Sequence, residues 1–125
     1  MKYNRIVISK FGEAEVLQKE IVSELQKPQK GQVRIKVLTT SVSFTDTLIR
    51  RGIYPGVKVK PPFSPGYDLV GIVDELGEGV SNLTVGQKVA DLTIIGAYTE
   101  YICLDANSVV PVPENLYNGE TVSLI

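Results

Sequence analysis

Pro65-Gly66-Tyr67-Asp68-Leu69-Val70-Gly71-Ile72-Val73-Asp74-Glu75-Leu76 passes from a proline–glycine turn into a mostly apolar segment, and Gly77-Glu78-Gly79-Val80 follows it. Apolar residues at both odd and even positions make a strand covered on both faces. The pair Gly77-x-Gly79 after such a strand invites a dinucleotide-loop reading. That reading needs a third glycine and a helix that opens inside the loop. The third position holds Asn82, and Ser81-Asn82-Leu83-Thr84-Val85-Gly86 leads into a further strand ending near Ala90. The two glycines therefore turn a hairpin in a β domain.

Outward from this strand the period-2 pattern recurs. Strands are expected at residues 5–9, 15–22 and 33–37, the last with Val33, Ile35 and Val37 on a dry face and Arg34 and Lys36 on a wet one. Pro28-Gln29-Lys30-Gly31-Gln32 is a turn ahead of it. A long strand over residues 96–104 carries Tyr98 and Tyr101, and Val109-Val110 adds a short last one. The period changes only at residues 43–52, which read as a short helix. Ser43 with Asp46 forms a capping-box-like start, Gly52 a stop, Phe44 and Leu48 share a face, and Asp46 and Arg50 have i, i+4 spacing. The proline-rich loop from Tyr54-Pro55-Gly56 to Pro61-Pro62 is expected to be a mobile flap. About seven short strands, one or two short helices and Gly/Pro turns predict a mainly β fold, a closed or nearly closed barrel.

The 125 residues fit one domain, placed at residues 1–113, with residues 114–125 losing strand character as helix or linker. The apolar end Val122-Ser123-Leu124-Ile125 leads us to expect that the natural chain continues. The net charge of −1 is spread rather than blocked, which argues against nucleic-acid or membrane-surface partners. No apolar run is long enough for a membrane span and the first residues lack signal-peptide order, so the cytoplasm is the expected compartment. With no histidine and one cysteine, Cys103, the chain has no internal disulfide, no ordinary zinc ligand set and no histidine base.

Six segments in this order and spacing resemble the amino-terminal half of the medium-chain dehydrogenases/reductases. They are Val42-Ser43-Phe44-Thr45-Asp46, Arg51-Gly52-Ile53-Tyr54-Pro55, Pro65 to Val73, Gly77-Glu78-Gly79-Val80, Val85-Gly86-Gln87-Lys88-Val89-Ala90 and Gly96-Ala97-Tyr98-Thr99-Glu100-Tyr101. The resemblance implies a GroES-like β-barrel followed by a Rossmann cofactor domain beyond Ile125, with substrate and nicotinamide meeting between them. Zinc-dependent relatives place Cys at the Ser43 position, His at Tyr67 and a carboxylate at Asp68. The loss of both soft ligands, and of the four-cysteine structural lobe, makes the chain similar to the zinc-free quinone oxidoreductases and enone reductases. Many of those carry Asn at the Ser43 position, so the pattern here departs from theirs. The resemblance implies NADPH held mainly by the missing domain, no zinc, a quinone or enone as small-molecule substrate, and a parent that forms dimers through its cofactor domain, as the family often does.

Hydride delivery to a quinone or enone leaves negative charge on the carbonyl oxygen, which a metal-free site meets with hydroxyl donors. Tyr54, at the family's glycine-x-tyrosine position, is the first candidate; a loop tyrosine packing on the barrel is the alternative. Thr45 stands where zinc relatives have a proton-relaying hydroxyl, and it also borders the cofactor side. Ser43 is a substrate contact or only a helix cap. Tyr67 shapes the pocket floor or packs in the core. Phe44 meets the nicotinamide or anchors its helix. Asp68 is expected to be a hydrogen-bonded structural carboxylate, Arg50 and Arg51 favour an anion or a helix C-terminus, Lys58 and Lys60 are solvated, and Cys103 is a small buried filler. Two functions follow: one half of an NADPH-dependent quinone/enone reductase, inactive alone, or a free-standing GroES-like binding module that is not an enzyme.

Overall fold

The computed structural model describes residues 2–113; the expected linker at residues 114–125 lies outside the described residues. The order of elements is β1 (Tyr3–Ile8), a 3-10 turn (Ala14–Val16), β2 (Leu17–Val22), β3 (Gln32–Thr39), α1 (Phe44–Arg51), β4 (Asp68–Leu76), β5 (Lys88–Leu92), β6 (Tyr101–Asp105) and β7 (Val110–Pro111). β1 and β2 pair antiparallel, and the other strands form a five-stranded antiparallel sheet in the order β6-β3-β4-β5-β7. The doubly covered strand deduced from the sequence is β4, central in this sheet, with Asp68, Leu69, Val70, Gly71 and Val73 buried.

β3 shows the wet–dry alternation its sequence predicts: Val33 and Ile35 are fully buried, whereas Lys36 is exposed. With Leu69, Val73, Leu83, Val89, Ala97, Ala106 and Val109 they make the main core cluster. Each large side chain buried there contributes roughly 1.5–3 kcal/mol. Two irregularities in the β3–β4 register, between Arg34 and Ile35 and between Val37 and Thr39, bend the sheet.

Closure is stitched rather than continuously laddered. Ile6 N–H donates to the Tyr98 carbonyl at 2.7 Å, Glu100 N–H to that of Asn4 at 3.0 Å, and Ile8 N–H to that of Phe63 at 2.9 Å. Isolated bridges Arg5–Thr99 and Ile8–Phe63 join the two-stranded ribbon to the rest.

Two expected strands are shorter than their patterns. The second begins at Leu17, the partner of Ile8, because β1 ends there and residues 14–16 close a 3-10 turn instead. The strand expected over residues 96–104 begins at Tyr101. Ahead of it the N–H groups of Gly96, Ala97 and Tyr98 donate to the carbonyls of Ser64, Gly66 and Pro65, at 2.7, 3.3 and 2.9 Å, so this stretch packs on the Pro65-Gly66 turn and not in the ladder. Ile94, at φ 68°, turns the chain into that path.

Candidate functional site

Helix α1 opens as its sequence predicts. Ser43 N–H donates to Asp46 Oδ2 at 2.9 Å and Asp46 N–H to Ser43 Oγ at 3.3 Å, a complete capping box, and Gly52 ends the helix in the left-handed conformation. Ser43 Oγ also donates to Asp46 Oδ2 at 3.2 Å, so its one proton is directed at Asp46 and it is a weaker candidate for a substrate donor. The expected Asp46–Arg50 pair is absent among the described residues. Arg50 Nε donates to the Gly12 carbonyl at 3.2 Å, and Arg50 and Arg51 both turn to Glu13, at 3.8 and 2.9 Å, beside the helix C-terminus that favours cations. The core anchor of the helix is Ile49, 1% exposed; Phe44 is 75% exposed and stands free of the core.

Asp46 is buried, and its third donor comes from 52 residues away: Tyr98 Oη donates to Oδ2 at 3.0 Å. Its other oxygen, Oδ1, is buried without a partner. The Tyr98 phenol is pushed above the ordinary tyrosine range by burial first, then by the charge and hydrogen bond of Asp46 and the charge of Asp68, with Arg50 opposing. Above pH about 10 the unfolded chain loses this proton while the folded one keeps it, so the folded state binds more protons and stability falls as pH rises. Urea midpoints measured between about pH 8 and pH 11 should decline, and Tyr98→Phe should make the decline shallower.

Tyr54 and Tyr67 are brought together. Their ring centroids lie 6.5 Å apart with the planes at 83°, edge to face, and both side chains are partly exposed. The Tyr67 phenol is held above the usual value, first by the neighbouring Tyr54 phenol and then by some burial. It is therefore a neutral donor at physiological pH. Asp68 is the hydrogen-bonded structural carboxylate expected: it is buried and accepts from Ser41 N–H at 3.0 Å and from Ser41 Oγ at 2.8 and 2.7 Å. Thr45 and Phe44 ride on the first turn of α1, and no hydrogen bond or ring contact joins them to Tyr54 or Tyr67 among the described residues.

Of the three positions that hold zinc in metal-dependent relatives, Ser43 is thus committed to Asp46 and Asp68 to Ser41, and Tyr67 packs edge to face with Tyr54. A serine hydroxyl already turned to Asp46, a neutral phenol and a carboxylate held by Ser41 are not the Cys/His donor set that metal takes. No three His, Cys, Asp or Glu side chains converge as a metal site among the described residues.

Neither Tyr54 nor Tyr67 lines the two larger clefts. One of about 600 Å³ is lined by Ile6, Leu17, Val37, Leu38, Val42 and Tyr98 among others, and one of about 360 Å³ by Arg5, Arg34, Tyr101 and Cys103 among others. Cys103 is therefore only half-buried, not a core filler. Burial raises its thiol pKa, Arg34 opposes and Glu75 adds, and it donates weakly to the Gln26 carbonyl at 3.6 Å. Sequence reasoning missed Ser41 and Tyr98, whose partners are remote in the chain and unmarked by any spacing.

Residues 29–114 match the family described as the alcohol dehydrogenase GroES-like domain. The chain belongs to this family. The GroES-like domain is similar to quinone oxidoreductase from Rattus norvegicus, 37% identical over 112 residues, which covers 89% of this chain and 34% of that protein. It is also similar to 2-haloacrylate reductase from Burkholderia, 37% identical over 91 residues, covering 71% of this chain and 27% of the relative. The crystal structure of Escherichia coli quinone oxidoreductase complexed with NADPH superposes with a TM-score of 0.88 at 26% identity, covering 98% of this chain and 37% of that one. The chain thus spans about a third of the length of these relatives, and it is an amino-terminal medium-chain dehydrogenase/reductase domain of the quinone-oxidoreductase kind. No helix among the described residues is long and apolar enough to cross a membrane.

Proposed function

We propose that this domain is the substrate side of a zinc-independent reductase that passes hydride from NADPH to a quinone or an α,β-unsaturated carbonyl, the cofactor being held mainly by a Rossmann domain elsewhere in the full-length protein. The observation that carries the reading is the Tyr54–Tyr67 phenol pair, partly exposed and metal-free in its chemistry, in a family whose relatives are reductases. When bound, NADPH supplies the hydride. This chain supplies hydrogen bonding to the oxygen that gains the electron pair: Tyr54 donates its O–H there, and Tyr67 borders the same oxygen. Phe44, exposed, and Thr45, partly exposed, lie on the first turn of α1 and in this reading meet the nicotinamide. Ser43 contributes chiefly by fixing that turn.

In the full-length protein, Tyr54→Phe is expected to lower kcat for NADPH-driven quinone or enone reduction about 100-fold, with KM moving little, as for removal of one oxyanion donor. Unchanged kcat would remove Tyr54 from the chemistry. The 125 residues alone should turn over neither substrate class. Exposed Val42, Phe44 and Ile53 also suit a second reading, a GroES-like module that binds a protein partner. Reductase turnover by the full-length protein decides between them.

A further inference from the structure

We propose that Tyr98 is a positioning residue of the reductase: its hydroxyl, on Asp46, holds the first turn of α1, where the nicotinamide would lie, in a fixed place relative to the segment that brings Tyr67 to the substrate oxygen. This rests on the reductase reading above and adds to it a residue that touches neither reactant.

The two sides of the site sit on different segments. Phe44 and Thr45 open α1, and Tyr67 comes only after the whole proline-rich loop. Tyr98 meets both. Its backbone lies on the turn before Tyr67: its N–H donates to the Pro65 carbonyl at 2.9 Å, and the N–H of Ala97 donates to the Gly66 carbonyl at 3.3 Å. On the other side its own carbonyl accepts from Ile6 N–H at 2.7 Å, so the backbone has little room to shift. The phenol then crosses to α1, where Oη donates to Asp46 Oδ2 at 3.0 Å. Asp46 is one half of the capping box that starts the helix, so moving its carboxylate moves the turn that carries Phe44 and Thr45.

Neighbouring groups leave this bond to Tyr98. Arg50 lines the same small cleft as Asp46 and Tyr98, but its guanidinium turns to the Gly12 carbonyl and to Glu13. Ser41 and Asp68 join the same two segments a second time, at 3.0 Å from the Ser41 N–H and 2.7 Å from its hydroxyl, but ahead of the helix. The Tyr98 bond is the one that reaches the helix itself. Its place matters because hydride passes only between carbons held at near contact, roughly 3–3.5 Å, and a misplacement of about 1 Å set far from the chemistry costs about 100-fold. A link between the turn that meets the nicotinamide and the segment that meets the oxygen sets that separation.

The test is Tyr98→Phe in the full-length protein, which keeps the ring and removes only the hydroxyl. Single-turnover oxidation of NADPH by naphthoquinone or cyclohexenone should slow about tenfold, while the NADPH dissociation constant stays within about twofold. The control is Val33→Ala. Val33 is fully buried near the start of β3, whereas the site follows the end of that strand. This variant should lower the urea midpoint at least as much and leave the single-turnover rate unchanged. A Tyr98→Phe rate equal to the parent's, or a loss matched by Val33→Ala, overturns the positioning role and leaves the reductase reading standing. A full-length parent that reduces neither compound overturns the reductase reading and this role with it. Independently of turnover, amide exchange in residues 44–47 should quicken in Tyr98→Phe and not in Val33→Ala; unchanged exchange there overturns the link.

Discussion

Gly66→Ala is expected to destabilise the domain by about 3–5 kcal/mol, enough to unfold much of a marginal domain at physiological temperature. Two separate penalties combine. Gly66 has φ 119°, a backbone conformation that disfavours every residue with a Cβ. The added carbon would also lie 2.6 Å from the Tyr98 nitrogen and 2.8 Å from both the nitrogen and the Cβ of Ala97. Those atoms cannot withdraw cheaply. Ala97 N–H donates to the Gly66 carbonyl at 3.3 Å, Tyr98 N–H to that of Pro65 at 2.9 Å, and Ala97 is fully buried in the main core. The stretch being pushed also connects the five-stranded sheet to β1 through Ile6 and Tyr98. Gly79→Ala separates the two penalties: Gly79 has φ 81° with nothing within 4 Å of an added Cβ, so it should cost only about 1 kcal/mol. Urea denaturation of both variants gives the comparison, and a Gly66→Ala midpoint no lower than that of Gly79→Ala would show that the close approach at Gly66 is relieved by some other movement.

The contrast between those glycines marks how far the sequence was legible. β4, the alternating face of β3, the cap at Ser43 and the stop at Gly52 could be read because each depends on neighbours within a few residues: periodicity, capping and turn chemistry are local. The family resemblance rested on six such local segments, and the match over residues 29–114 agrees with it. What failed was non-local. The stretch at residues 96–98 looks like strand, yet its N–H groups donate to residues 64–66, and no pattern within either stretch announces that partner. Arg50 has good helical spacing to Asp46 but is taken by a loop nearly 40 residues upstream. Phe44 was a natural choice of helix anchor by residue type; Ile49 has the position because the buried side of α1 is set by what it packs on. At the site, sequence could nominate Tyr54 and Tyr67 separately. That they form one pair is a property of the fold.

Asp46→Ala should cost about 2–4 kcal/mol, for a lost helix cap and buried donors left without an acceptor, whereas Asp46→Asn, which keeps an acceptor at the Oδ2 position, should cost less. Asp46 is 5% exposed, and three donors converge on its Oδ2: Ser43 N–H at 2.9 Å, Ser43 Oγ at 3.2 Å and Tyr98 Oη at 3.0 Å. Truncation to alanine strips all three at once. It removes the helix cap, worth about 1 kcal/mol by itself, and leaves the Tyr98 hydroxyl and the Ser43 amide without an acceptor. Solvent entering the adjoining cleft of about 100 Å³, which Asp46, Arg50 and Tyr98 line, recovers part of that loss. Asparagine keeps an acceptor where Oδ2 stands but puts its amide NH₂ at the buried Oδ1 position, where no partner is found, which costs part of the gain. It gives up the charge-assisted part of the three bonds and, in exchange, no longer buries a carboxylate. Because Ser43 and Asp46 fix the turn bearing Phe44 and Thr45, the alanine variant should also lose helicity at α1, visible as faster amide exchange in residues 44–47. Equal stabilities for the alanine and asparagine variants would mean that the three donors find other acceptors, and that Asp46 is not the hub joining helix α1 to the Tyr98 segment.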